Sequence, residues 1–291
     1  MTAELVVAAR PRIRHRGRTV AWTAIPLAVI VVIAVVGPLL PLQNPNSQLL
    51  TSRLQPPVWQ SGGSVHHLLG TDTLGRDLLA RLVSGARLTL LIGALGVLAG
   101  AIPGTLLGLV AGYRRGWVDT VVSRLVDAQL ALPFFLIAIT VISARGRSLA
   151  VLILVLAVIG WAQFARIVRA ETLSLRERPF VLGLKAAGVP GWRIVLLHLF
   201  PNLAGTVLVM CTLQVGTVIL AESALSFLGL GVVAPDISWG AMLASGRDVV
   251  NQAWWVVAFP GIAITVLVIL VNLLGDGLRS RYDPRLRRDA R

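Results

Sequence analysis

Residues 171–202 read ETLSLRERPFVLGLKAAGVPGWRIVLLHLFPN, a polar, basic, Gly- and Pro-punctuated run between two apolar segments long enough to cross a bilayer. A connector of that length between membrane helices is uncommon as a plain turn. Its pattern predicts two short helices. The first covers 180–187, Gly188 supplies a C-terminal stop, and Pro190 opens the second, which runs through Trp192, Ile194, Val195 and Leu197. Pro201 then starts the next apolar segment. A rigid, partly apolar knob on the water side of a membrane suits docking onto a partner; a helix lying on lipid headgroups is the alternative that composition leaves open.

The rest of the chain sets that knob in a membrane. Hydrophobic residues make up 56% of the 291 and charged residues only 14%, far from the profile of a soluble globular protein. The formal net charge of +14 does not point to nucleic acid. The basic residues cluster at the ends of apolar runs, with no aromatic-interleaved groove, so anionic headgroups are the better partner. Lys185 is the only lysine and follows Leu184, so the Gly-Lys-Ser/Thr of a nucleotide-binding loop is absent. Cys211, the lone cysteine, lies in an apolar run and reads as a small packing residue.

The fold class expected is all-α, a polytopic membrane protein with six transmembrane helices. A basic stretch, 1–19, precedes a first span at 20–42, read as uncleaved because it is long and lacks a small-x-small cleavage site. A polar outer segment occupies 43–87. Five further spans are predicted near 88–111, 118–142, 150–168, 203–221 and 253–275, within a core of 88–277 whose connector is 171–201. A basic tail, 278–291, closes the chain. Six spans put both termini on one side. Placing the N-terminus in the cytoplasm gathers most of the basic residues there, including Lys185, and leaves Arg53, Arg76, Arg81, Arg87, Arg145, Arg147 and Arg247 opposite. The positive-inside rule therefore predicts cytoplasmic termini and a cytoplasmic knob.

Within the spans, Gly96, Gly100, Gly104, Gly108 and Gly112 recur every four residues, a stripe that lets another backbone approach closely and reads as helix packing inside the chain. Asp127 follows Arg124 by three residues and is expected to pair with it on one helical face; Glu222 and Asp276, at span ends, are read the same way. His66 and His67 are adjacent, so they point apart, and no carboxylate or cysteine set completes a metal site. After the fifth span, AESALSFLGLGVVAPDISWGAMLASG is apolar and Gly-broken. Such backbone at a membrane face must be buried in protein or line a cavity. Either a gate built from Phe227, Leu228, Gly229, Leu230 and Trp239, or a plain packed connector, satisfies that.

Four blocks carry a family resemblance: HLLGTDTLGRDLLARLVSGARLTL (67–90), WAQFARIVRAETLSLRERPFV running into the connector and HLFPN, ESALSFLGLGVVAPDISWGAML (222–243) and NLLGDGLRSRYDPRLR (272–287). In that order they resemble the C-type permease subunit of peptide and nickel ABC importers. The connector resembles the family's cytoplasmic coupling loop, with Gly188, Pro201, Lys185-Ala186-Ala187-Gly188 and Trp192-Arg193-Ile194 in place. Leu182-Gly183-Leu184 stands where the family has Glu-Ala-Ala. The resemblance implies a type I ABC importer permease fold in a bacterial plasma membrane, with ATPase coupling through Phe180, Val181, Leu182, Gly183, Lys185, Ala186, Ala187, Gly188 and Arg193. It further implies a sister permease, two ATPase subunits or one fused tandem ATPase binding ATP and Mg, and an extracytoplasmic substrate-binding protein. No cofactor, metal or catalytic residue is expected in this chain. Between the two cargoes, the absence of a metal-ligand set favours peptides (oligopeptides or dipeptides) over nickel.

Other functions fit poorly. Rhomboid chemistry wants Gly-x-Ser-Gly where Leu243-Ala244-Ser245-Gly246 stands, presenilin chemistry wants Gly-x-Gly-Asp where Leu273-Leu274-Gly275-Asp276 stands, and no HExxH occurs. A channel or secondary transporter acting alone would show internal repeats or midplane charges.

Overall fold

The computed structural model describes residues 16–282, with side chains for 24–280 except Pro38. The expected basic ends thus fall largely outside the described residues: 1–15 and 283–291 wholly, and the arginines of 16–23 as side chains. Ten α-helices follow one another: α1 (Arg16–Val36), α2 (Leu78–Arg114), α3 (Gly116–Ala131), α4 (Phe134–Arg145), α5 (Leu149–Arg176), α6 (Pro179–Ala186), α7 (Gly191–Arg193), α8 (Phe200–Phe227), α9 (Trp239–Gly246) and α10 (Trp255–Tyr282). Among the described residues there is no β-strand beyond one isolated bridge, Thr71 to Asp77.

Four helical stretches are long and apolar enough to cross a membrane: α2, α5, the continuous run Gly191–Phe227, and α10. The expected third span is broken. Α3 and α4 meet at 91°, because Pro133 has no N–H to give and forces Leu132 into an extended conformation (ψ 132°); counted together they make a fifth crossing. Α1 would be the sixth, but its helix ends at Val36, short of the expected residue 42, and only Ala24–Val36 is described with side chains. Six crossings therefore remain the sequence expectation, against four or five counted among the described residues.

Capping explains where the helices begin. The Asp77 carboxylate accepts from the Ala80 N–H at 2.7 Å to start α2, Ser148 accepts from Val151 at 3.3 Å to start α5, and Ser238 accepts from Ala241 at 3.0 Å to start α9. Each cap side chain satisfies an N–H that the helix leaves without a partner. Pro201, expected to start the next apolar segment, lies in the first turn of α8, yet the chain enters it without a break. Residues Ile194–Leu199 form a π-helical stretch that carries the chain from α7 into α8. The Phe200 N–H reaches back to the Val195 carbonyl, so the looser winding spans the place where Pro201 offers no donor.

Α2 and α5 form the central pair; α8 packs against both, and α10 packs on α8, α9 and α1. A cluster around Trp239, Met242, Trp255, Val256 and Leu267 ties α1, α2, α9 and α10 together at one end. A second, around Leu109, Val168, Val181, Ile194, Leu199 and Leu203, sits at the other. The segment before α2, expected to be loop-like, holds little helix but is tightly folded. The buried Asp72 carboxylate accepts from the Leu74 and Arg76 N–H groups at 2.9 and 3.0 Å and pairs with the Arg76 and Arg81 guanidinium groups at 2.7 and 3.5 Å. Trp255 of α10 donates its indole N–H to the Thr71 carbonyl at 3.2 Å.

Candidate functional site

The connector forms a knob whose geometry follows from a few residues. Pro179 sits in the first turn of α6, where a missing N–H costs nothing. At the other end Gly188 adopts φ +76°. Its N–H donates to the Lys185 carbonyl at 3.0 Å, and the Val189 N–H reaches back to Leu184 at 3.0 Å. This pair of bonds is a Schellman stop, and Leu184 and Val189 both pack on the apolar cluster beneath it. The stop expected at Gly188 is therefore present in atomic detail.

The predicted coupling residues divide by burial. Val181 is fully buried against the cluster below, so it anchors α6 and presents nothing outward, unlike its neighbours. Phe180, Leu182, Gly183, Ala186, Ala187, Gly188 and Arg193 are exposed, and Lys185 is half-buried. Trp192 adds a further exposed aromatic beside them, 61% accessible, with the Arg193 guanidinium 5.3 Å from its ring centre. Phe180, Leu182 and Trp192 are exposed apolar side chains on α6 and α7, set among small residues, and apolar surface left in water is the kind that a partner covers. It offers shape and no reacting group.

Tyr113, at the end of α2, is the residue the sequence reading missed. The Lys185 ammonium lies 5.3 Å from its ring centre, and its ring edge abuts Gly191, where a Cβ would come within 3.0 Å. Its carbonyl accepts from Arg176 at 2.6 Å. Burial, and next the nearby Arg176 guanidinium, hold the Lys185 ammonium below its ordinary pKa. Tyr113 thus ties the knob to the α2–α5 pair; only its place at the end of the glycine stripe could have signalled this.

That stripe faces α5. A Cβ at Gly100 would lie 2.9 Å from the Ala157 carbonyl, at Gly104 2.7 Å from Phe164 Cβ, at Gly108 2.7 Å from the Ala165 carbonyl, and at Gly112 2.7 Å from Thr172 Cβ. Gly96, at the end of the stripe far from the knob, meets Val218 of α8 and Leu156 of α5. The two backbones touch, with no compliant layer of side chains between α2 and α5.

Two ion pairs bind α3 to α5. Asp119 pairs with Arg169 through two hydrogen bonds, one of them 2.8 Å. Asp127 pairs with Arg166 at 3.2 Å. Asp127 does not pair with Arg124, its expected partner: the guanidinium that faces it comes from a helix far away in sequence, which no spacing rule along one helix detects.

At the opposite end the predicted gate residues do not converge. Phe227 and Leu228 are exposed, and Gly229 (φ +79°) ends α8 in a second Schellman stop, with the Leu230 N–H on the Leu225 carbonyl at 2.8 Å. Trp239 is instead buried: its backbone N–H donates to Thr89 Oγ1 at 3.0 Å and its indole to the Leu82 carbonyl at 2.7 Å. Glu222, expected in a charge pair, lies buried among hydroxyls, accepting from Ser226 at 2.8 Å and Ser238 at 2.7 Å. The Ser238 bond pins the start of α9 to α8. His67 is taken by Asp77 at 3.0 Å, and among the described residues no three His, Cys, Asp or Glu side chains group together.

Residues 104–288 match the family described as binding-protein-dependent transport system inner membrane component. The chain is 40% identical to the di/tripeptide transport system permease protein DppC of Pseudomonas aeruginosa, over 91% of this chain and 87% of that one. It is 40% identical to the dipeptide transport system permease protein DppC of Escherichia coli, over 94% and 91%, and 39% identical to that of Bacillus subtilis, over 90% and 80%.

Proposed function

This chain belongs to the family of binding-protein-dependent transport system inner membrane components, and from that premise we propose how its surfaces serve transport. It is a multi-pass inner-membrane permease subunit of a peptide ABC importer, with the type I permease fold. The finer reading is that it forms half of the peptide pathway with a sister permease. The exposed face of α6 and α7 docks into cytoplasmic ATPase subunits, two chains or a fused tandem, which bind and hydrolyse ATP with Mg. A substrate-binding protein delivers peptide to the opposite end, and both termini lie in the cytoplasm.

The observation that carries the docking assignment is the knob itself: an apolar face on a helix stopped at both ends and wedged by Val181 and Tyr113 onto the rigid α2–α5 pair. Closure of the ATPases would move the knob as a body, and the touching backbones of α2 and α5 would carry that motion along the membrane helices. Copurification of the neighbouring subunits, with ATP hydrolysis measured with and without the binding protein, tests the reading. Stimulation by the peptide-loaded binding protein is the expected result; purification of this chain as a solitary active transporter would overturn it.

A further inference from the structure

The membrane helices do not all show the same outward surface. Α2 turns out Leu91, Leu95, Leu98, Ile102, Leu106 and Val110, an uninterrupted apolar stripe suited to lipid. Α10 does the same with Ile262, Val266, Ile269 and Leu273. The inner half of α5 differs. Gln163, Arg166, Ile167, Ala170 and Ser174 are all exposed and recur at helical spacing down to the knob, so polar groups interrupt the apolar surface where the α2 and α10 stripes show none. Arg166 pairs there with Asp127 of α3, both side chains 59% accessible, and the exposed Arg124 lies one turn before Asp127.

Depth makes lipid an unfavourable neighbour for this face. A hydrocarbon core of about 30 Å takes up roughly 20 helical residues, so counted from Leu149 at the apolar start of α5 it reaches to about position 169. Gln163 and Arg166 fall inside it. Charged and amide groups at such depth face the interior of an assembly or a water-filled space.

We propose that the outward face of α3 and α5 bearing Arg124, Asp127, Gln163 and Arg166 is the wall of the aqueous peptide pathway, open toward the knob end. This rests on the peptide-importer reading and adds to it which face meets the cargo. Charges of both signs match a zwitterionic peptide: the guanidinium groups meet its carboxylate and Asp127 meets its ammonium. Side chains that already pair with each other hold no cargo tightly, which suits a surface that must release what it passes.

The test uses the assembled complex in inside-out membrane vesicles, with Cys211→Ala in this chain and either Gln163→Cys or Ile102→Cys added. Ile102 is exposed on α2 and lies at a matched distance, about 18 Å from the helix end against about 20 Å for Gln163. A membrane-impermeant cationic methanethiosulfonate reagent is applied, and its addition to this chain is followed by peptide mass. The expected result is labelling at position 163 at least tenfold faster than at 102; any smaller ratio overturns the wall. ATP-driven dipeptide transport by the Cys211→Ala parent is scored separately. Transport with a small ratio removes the wall and leaves the importer, whereas no transport removes the importer reading and this inference with it. Should Gln163→Cys fail to assemble, Arg166→Cys against Leu106→Cys, about 15 and 12 Å from their helix ends, repeats the comparison on the same two stripes inside the hydrocarbon depth.

Discussion

Replacing Gly188 separates the shape of the knob from its chemistry. The residue holds φ +76° with no atom within 4 Å of where a Cβ would project, so a side chain there meets no clash and only its backbone preference is felt. Valine resists the left-handed region, at about 1–2 kcal/mol for an L-residue and more for a β-branched one. Two terminal hydrogen bonds, from Gly188 and Val189, are weakened with it. A total of about 2 kcal/mol corresponds to roughly a thirtyfold loss in the population of correctly stopped knob. Asparagine visits the same conformation more readily than other side chains, so Gly188→Asn should cost clearly less than Gly188→Val. Gly188→Val is therefore expected to uncouple ATP hydrolysis from dipeptide uptake in reconstituted vesicles, with Gly188→Asn closer to the parent. Equal uptake by the Val, Asn and parent complexes would refute the claim that a rigid, stopped knob transmits the motion.

Four further outcomes follow from the packing. Gly104→Ala brings a Cβ to 2.7 Å from Phe164 Cβ and should destabilise the purified complex by about 1–3 kcal/mol; Gly261→Ala, whose nearest neighbour would be 3.8 Å away, should not, and equal melting temperatures would contradict the close packing of α2 on α5. Asp72→Asn leaves the buried Arg81 with a neutral partner, a loss of about 3–5 kcal/mol by analogy with broken buried pairs, read as faster tryptic cleavage after Arg76 or Arg81. Glu222→Ala strands the Ser226 and Ser238 hydroxyls and should lower stability by about 1–3 kcal/mol, with Glu222→Gln milder; the reverse order in thermal melting would count against the hydroxyl cluster. A double-mutant cycle of Asp127→Asn and Arg166→Gln should return a coupling of at most about 1 kcal/mol, since both groups are well exposed; a cycle with Arg124→Gln in place of Arg166→Gln should return none.

Legibility followed the range of the interaction. The stop at Gly188 could be read from the chain because a glycine after a helical run is a local backbone requirement. The glycine stripe was equally legible as a packing face, since a four-residue period puts every missing Cβ on one side. The partner that fills the stripe was not: Phe164, Ala165 and Thr172 come from α5, and nothing in the spacing of α2 names them. Pro133 shows the converse. A run of apolar residues from 118 to 142 suggests one straight span, yet a single missing N–H turns it by 91°. At Pro201 a similar deficit leaves the helix running, because a π-helical turn takes up the mismatch.

What the chain by itself determined is what hydrophobicity and local backbone chemistry can carry: an all-helical membrane protein, a stopped knob between its later spans, and the four blocks that place it among ABC permeases. Tertiary structure alone decided which charges meet. Asp127 chose Arg166 over Arg124, Glu222 took serines where a cation was expected, and Val181 turned inward while its neighbours turned out. The physical reason is that pairing between helices depends on their relative rotation and depth, which the packing of whole surfaces sets and no period along one helix encodes.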